Sequence, residues 1–481
     1  MNESERDKRL HSSGVNHLPL PRGRYKVGCV DVLNGGTRDR GCLFRIFYPC
    51  EENVDIPTES SRRATWLPKP ERKYADGYAR VQGHVAYCAH KLCGSQTSSL
   101  YIPATMNARP ARENRNAFPV ILFSHDIGEC RTTNSSLCVE LASHGCVVAA
   151  IEHRDNTACR TFYVEQVEAT PGSKDQLDGL NGVAEDREET SESLQTEDEI
   201  PMCESALEED QDKDSADGDS VLADDVGGDK TDSVPRPAII RTVWVNYRPI
   251  AKTPDLYNLR VRQLHRRVGE CIRTLNCLEV INARGTCDNR LPERYPFDLS
   301  GTMNMERVTV IGRGFGGSTA YMTLQIEDRT ICGASIDPLM FVIKADRPIN
   351  VCRPFLLVLN SRHTAREDVQ IMRTMFRQSY KTYTSVYTLL GSDTDAQSDL
   401  PFIKASSVWS SLSFSWPMVA PSPFTSLDLG SSLVLKFISE KCNFNNHNRD
   451  FYEDYVQRKS NLIEKGVRMP NRWTSRYSNA R

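Results

Sequence analysis

The stretch Val308–Ala320 reads VTVIGRGFGGSTA. A short aliphatic run meets four glycines, Gly312, Gly314, Gly316 and Gly317, and the chain continues in residues that suit a helix. A buried strand, a sharp glycine turn and a helix start make one unit of an α/β fold. Three chemistries use such a turn. A phosphate-cradling P-loop requires a Lys-Ser/Thr pair after its glycines, and none follows. The dinucleotide fingerprint opens the first βα unit of its domain, which does not suit a turn beyond residue 300. The Gly-x-Ser-x-Gly nucleophile elbow fits best in shape, but the serine position is Gly314.

The same alternation extends outward. FPVILF at Phe118–Phe123 and CVVAAI at Cys146–Ile151 predict buried strands, with a helix over Ser135–His144 that stops at Gly145. Asn258–Ala283 predicts a long helix with apolar positions Leu259, Val261, Leu264, Val268, Ile272, Leu275 and Leu278. Further strands are predicted at Val308–Ile311, Ile331–Ile336, Phe355–Leu359 and Tyr383–Leu389, and a closing helix at Asp428–Ser439. The pattern gives an α/β fold, a mostly parallel central sheet flanked by helices.

The chain has 481 residues, of which 39% are hydrophobic and 26% charged, and a formal charge of −3. That near-neutral total conceals a division. Pro171–Pro235 carries 22 acidic and 4 basic residues and no Phe, Trp or Tyr, a net −18, so the remaining 416 residues carry +15. Such a segment buries too little apolar surface to offset its ordering entropy, and is expected to be a disordered insertion. It could simply be solvated, cover a basic surface, or bind a basic protein partner. The expected organisation is a disordered N-terminus over 1–16, a first part of the α/β domain over 17–170, the insertion over 171–235, a second part of that domain over 236–441, and a polar, basic tail over 442–481. No apolar run approaches the roughly 18 residues of a membrane span, and the N-terminus has no apolar core of a secretory signal. With no CxxC pair, the 16 cysteines are read as reduced thiols, and a cytoplasmic location is expected. No metal, cofactor or nucleic-acid partner is expected.

Longer segments resemble one family. HLPLPRGRYKVGCVDV (His17–Val32), FRIFYP (Phe44–Pro49), FPVILFSHDIGECRTTNSSLCVELASHGCVVAAIEHRD (Phe118–Asp155), Trp244–Arg248, the helix with Arg260–Cys271, FDLSGTMNMERVTVIGRGFGG (Phe297–Gly317), ASIDPLMF (Ala334–Phe341) and LDLGSSLVLKFI (Leu427–Ile438) are similar to the platelet-activating factor acetylhydrolase family. The resemblance implies an α/β-hydrolase that removes short or oxidised sn-2 acyl groups from phospholipids without calcium. It implies a serine nucleophile, an aspartate and a histidine in that chain order.

Carried over residue by residue, the aspartate is Asp337, the serine position is Gly314 and the histidine position is Thr394. No histidine lies between His363 and His447, so a shift of alignment does not restore the base. Gly312 and Gly316 are the elbow glycines. The oxyanion-hole amides map to Ile127 and Phe315, and Asp126 stands where the family has a glycine. Aspartate tolerates a left-handed backbone better than most residues, but its carboxylate beside a developing oxyanion would be unfavourable. Arg313, at the family's histidine before the nucleophile, is a candidate partner for Asp337. Ser124, Ser318, His125, His144 and His153 are read as structural, His363 as a loop residue, and Cys130 and Cys138 as thiols with no histidine placed to activate them. The expectation is a hydrolase fold that has lost the acyl-enzyme reaction and binds a phospholipid, another acyl lipid or a partner, with peripheral membrane contact as one route. A working ester hydrolase with a relocated nucleophile or base, and a scaffold acting through the acidic insertion, are the alternatives.

Overall fold

The structure, a computed structural model, describes residues 16–81, 100–112, 117–167, 185–188, 239–250, 256–292, 295–343, 353–361, 366–378, 384–392, 395–405, 421–442 and 449–468. Two compact units are present, residues 165–244 and the rest.

The larger unit is built on an eleven-stranded sheet. Its strands are β1 (Lys26–Asn34), β2 (Cys42–Cys50), β3 (Arg63–Thr65), β4 (Tyr101–Met106), β5 (Phe118–Ser124), β6 (Val147–Glu152), β10 (Met303–Arg313), β11 (Thr330–Ile336), β12 (Phe355–Asn360), β13 (Thr384–Leu389) and β14 (Ile463–Lys465). The numbers β7 (Arg160–Val167), β8 (Glu185–Glu188) and β9 (Ile239–Asn246) belong to a second, three-stranded sheet in the order β7-β9-β8. The large sheet runs β14-β13-β12-β11-β10-β5-β6-β2-β1-β4-β3. From β13 to β6 the neighbours are all parallel. Strands β1 and β2 form an antiparallel hairpin added at β6. Continuous apolar runs suit the parallel strands because helices cover both faces. Every residue of β5, β6 and β12 is buried accordingly.

The helices are α1 (Glu71–Val81), α2 (Ser135–Ser143), α3 (Leu256–Arg284), α4 (Phe315–Ile326), α5 (Arg366–Gln378), α6 (Leu400–Ala405), α7 (Pro423–Lys441) and α8 (Arg449–Arg458). After β5 the chain steps to β6 on one side, and the later strands β10 to β13 step away on the other. The order therefore reverses between β5 and β10, and open α/β sheets place their ligand crevice at such a reversal, beyond the strand carboxyl ends.

Two features depart from the sequence reading. The buried face of α3 includes Arg260, Gln263, Arg267 and Glu270 as well as Leu264, Val268, Leu275 and Leu278, while Leu259, Val261 and Ile272 are only half-buried. Charged residues occupy that face because partners on the sheet's carboxyl edge pair with them, which apolar periodicity does not register. The basic tail also contributes structure: α8 buries Tyr452, and β14 pairs antiparallel with β13. Within the acidic segment, β8 pairs in parallel with β9, from Glu185↔Arg241 to Glu188↔Trp244; the remainder of 171–235 lies outside the described residues. No described helix is long and apolar enough to cross a membrane.

The two faces of α3 give a direct check of this packing. Leu278→Ala, at a fully buried position, is expected to cost about 2–5 kcal/mol through lost transfer energy and a residual cavity. Val280→Ala, two residues along and 39% exposed, is expected to stay within about 0.5 kcal/mol of the parent. Urea denaturation of both variants measures the difference.

Candidate functional site

Strand β10 ends at Arg313, and Gly314 turns the chain into α4 with φ +56° and ψ −120°. This left-handed backbone is costly for any residue with a Cβ. Its amide donates to Ile336 O at 3.0 Å, and its carbonyl accepts from Leu339 N at 2.9 Å, which fixes the elbow against β11. A side chain at Gly312 would strike the Gly316 carbonyl, and one at Gly316 would strike the Ser124 carbonyl, within 2.0 Å. The glycines thus allow α4 to start directly over β10 and β5. Asp337 follows β11, buried, with φ +48°. Gly314 and Asp337 therefore adjoin at the carboxyl edge. Thr394 and His363 lie outside the described residues.

One carboxylate dominates the turn. Oδ1 of Asp126 accepts the amide N–H of Phe315 at 2.8 Å and that of Ile127 at 2.8 Å. These are the two amides mapped as oxyanion donors, and here they converge on an oxygen of the chain itself. A Cβ on Gly314 would lie 1.9 Å from Asp126 Cγ and 2.0 and 2.1 Å from its carboxylate oxygens. The Asp126 side chain fills the volume that a nucleophile's side chain would need. The electrostatic expectation is thereby revised: the carboxylate does not crowd an oxyanion from the side, but takes its place. The backbone expectation changes as well, since Asp126 is not among the left-handed residues and the loop turns at Gly128, φ +78°.

Around this contact is a cluster of charge. Arg313 is buried and pairs with Glu129, with Asp395 Oδ1 at 3.3 Å, and lies 3.9 Å from Asp126 Oδ2. Burial pulls its proton affinity down, but Glu129, Asp126, Asp395 and, more weakly, Asp337 together hold it above the ordinary value. Asp337 thus acts on Arg313 together with three other carboxylates rather than as a sole partner. Glu129 also accepts from the Asp126 amide at 2.9 Å and from Asn134 Nδ2 at 2.8 Å. Glu129 and Asp395 carry no motif; the one signal for them is that an arginine at a buried elbow requires counter-charges.

Beneath the elbow, Ser124 Oγ lies 2.7 Å from His153 Nε2, and His153 Nδ1 lies 2.8 Å from Glu270 Oε2. The order serine, histidine, carboxylate is that of a hydrolase relay, but all three are fully buried. Burial, with Arg267 nearby, lowers the His153 proton affinity. A neutral ring accepting from Ser124 and donating to Glu270 satisfies both contacts. His125 joins this layer through the His153 amide at 3.1 Å, and Arg267 donates to the His125 carbonyl at 2.6 Å and to Asp155 Oδ2 at 2.8 Å. The Arg267 guanidinium also stacks 4.5 Å over the Phe315 ring. The layer therefore positions both donors to Asp126. His144 is held by Glu140 at 3.2 Å. Ser318 donates to the Leu339 carbonyl. Cys130 and Cys138 are buried, and hydrogen bonds from Cys159, Thr132 and Tyr78 outweigh the upward push of burial to bring Cys130 to about 7.

The sequence profile of platelet-activating factor acetylhydrolase, isoform II, matches residues 10–220 and 206–462. The chain belongs to this family. It is 28% identical over 356 residues to the platelet-activating factor acetylhydrolase of Cavia porcellus, covering 74% of this chain and 62% of that protein. To the Gallus gallus protein of that name it is 23% identical over 388 residues, covering 80% and 75%. The aligned region thus spans less than two thirds of the Cavia porcellus relative. A ferulic acid esterase from Streptomyces cinnamoneus shares the fold with a TM-score of 0.50 at 13% identity, over 88% of this chain and 92% of that one.

Two measurements test the site's construction. Gly314→Ala is expected to destabilise the chain by about 2–4 kcal/mol, combining left-handed strain with displacement of the Asp126 hydrogen bonds. Asp126→Gly removes the obstacle, so the double variant should be more stable than the sum of the two losses predicts; strict additivity in a denaturation cycle would refute the contact. The second concerns Glu270. Burial pushes its pKa up, but His153 and Arg154 outweigh this and hold it at about 2, against an ordinary 4.5. Its ionised form stabilises the fold above pH 4.5, and that contribution is lost as pH falls toward 2. Glu270→Gln should lower stability at neutral pH and flatten the acid limb over this window in pH-dependent denaturation.

Proposed function

We propose that this chain is a member of the platelet-activating factor acetylhydrolase family that has exchanged acyl-enzyme chemistry for binding of an acyl lipid or a protein partner. One observation carries the reading: Asp126 Oδ1 occupies both candidate oxyanion amides while Gly314 leaves the elbow without a nucleophile. Acyl transfer needs a nucleophile, and it needs donors open to the developing charge of the tetrahedral intermediate. Neither requirement is met at this turn. In a worked serine hydrolase, losing the nucleophile or the base costs on the order of 10⁶ in kcat. The lipid ligand is proposed from the names of the relatives, and peripheral membrane contact follows from such a ligand. The −18 segment is proposed as the docking element for a basic partner.

A second reading has its own observation. Ser124, His153 and Glu270 are within hydrogen-bonding distance in relay order, which would serve a relocated nucleophile if the edge opened. Burial favours a structural role for them.

A fluorophosphonate probe and a short-chain ester separate the two. The full-length chain is expected to give neither labelling nor turnover. Labelling abolished by Ser124→Ala would overturn the proposal in favour of the second reading. Gly314→Ser with Asp126→Gly and Thr394→His restores nucleophile, open donors and base beside Asp337, and is expected to give measurable ester hydrolysis. Gly314→Ser with Thr394→His alone should remain silent, because Asp126 still fills the turn.

A further inference from the structure

A cleft of about 410 Å³ lies between the C-terminal half of α3 and the turn joining β1 to β2, away from the elbow. Arg40, Arg273, Arg284, Asn34, Asn276 and Asp288 contribute to its lining. Asp288, the acidic member, pairs with Arg290 at 2.8 Å, so the lining carries three guanidinium groups against one carboxylate that is already paired. Among the described residues no ion pair joins Arg40, Arg273 or Arg284 to a carboxylate at contact distance.

Arg273 is the innermost of the three. Its Nε donates to the Gly41 carbonyl at 3.0 Å, and the Arg154 guanidinium donates to the same oxygen. Two cations share one neutral acceptor. Of the carboxylates that act on Arg273, Glu270 is committed to His153 and to Arg154, and Asp39 to Arg266. Burial, with Arg154 alongside, lowers the proton affinity of Arg273 despite Glu270. A half-buried guanidinium in this position is short of counter-charge, a condition that an anion in the cleft would relieve. The planar fork of arginine matches tetrahedral oxyanions in paired hydrogen bonds, and three arginines lining one cleft suit a phosphate group better than a single carboxylate. The volume is that of a small-molecule site.

We propose that this cleft binds a phosphate group, carried by a soluble phosphate monoester or by a phospholipid headgroup, with Arg273 at its base and Arg40 and Arg284 at its rim. The site is separate from the elbow, so it stands or falls independently of whether the chain hydrolyses esters.

The test uses the full-length chain and three probes: inorganic phosphate, glycerol 3-phosphate, and phosphatidylcholine vesicles with and without phosphatidate. Calorimetric titration at low ionic strength is expected to show saturable binding of at least one phosphate probe. Arg273→Gln is expected to weaken it at least ten-fold, about what one charge-assisted contact supplies. Arg449→Gln, at an exposed arginine paired on its own helix with Glu453, serves as the control and should leave binding unchanged. Binding of the soluble probes assigns the site to a free metabolite phosphate. Co-flotation with phosphatidate vesicles alone, lost in Arg273→Gln, assigns it to a lipid headgroup. Should Arg273→Gln fail to fold, Arg284→Gln at the exposed rim replaces it with the same expectation. Absence of binding by every probe, or binding that both arginine variants leave intact, overturns the proposal.

Discussion

One oxygen atom, Oδ1 of Asp126, closes the carboxyl edge of this sheet. It accepts two amide hydrogen bonds from separate elements, the loop after β5 and the first turn of α4. Both donors would otherwise face the crevice at the strand reversal, and a helix N-terminus favours negative charge. A tethered carboxylate satisfies them without a ligand. The contact is possible only because residue 314 has no side chain, and the glycine is in turn suited to the left-handed backbone that the elbow imposes. Gly314 and Asp126 thus form one structural unit: with the Asp126 carboxylate in this position, residue 314 has no room for a side chain.

The elbow is held in shape by a network of buried charges. Arg313 draws in Glu129, Asp395 and Asp126, and Arg267 ties α3 to Asp155 and to the His125 carbonyl. Buried ion pairs of this kind contribute little net stability against apolar replacements, but breaking one by removing a partner leaves an uncompensated charge and costs roughly 3–5 kcal/mol. Their effect is to restrict the alternatives open to the loops. A strained turn therefore persists with no nucleophile to present, because the surrounding hydrogen bonds over-determine it.

The strands and helices nearest the elbow were legible because each is a short apolar run or a 3.6-residue stripe bounded by a glycine or a polar break. Phe118–Phe123, Ile331–Ile336 and Phe355–Leu359 fall within one residue of strands β5, β11 and β12. Less legible were the elements whose burial depends on pairing between distant charges. Glu270 and Arg267 look solvent-facing by hydropathy, and the tail strand Ile463–Lys465 is too short and polar to announce itself; it exists because β13 offers it an edge.

By itself the sequence determined the fold class and the glycine elbow, including the absence of a side chain at position 314, since the atoms a residue carries are a covalent fact that no packing changes. Tertiary structure alone decided what fills the space beside Gly314. Asp126 and Phe315 are 189 residues apart, and nothing in a local pattern says that a carboxylate in one loop will reach the amides at the start of a distant helix. That outcome depends on β5 and β10 lying side by side in parallel register, with Gly312 opposite Ser124, so that two loops leaving adjacent strands meet at one point.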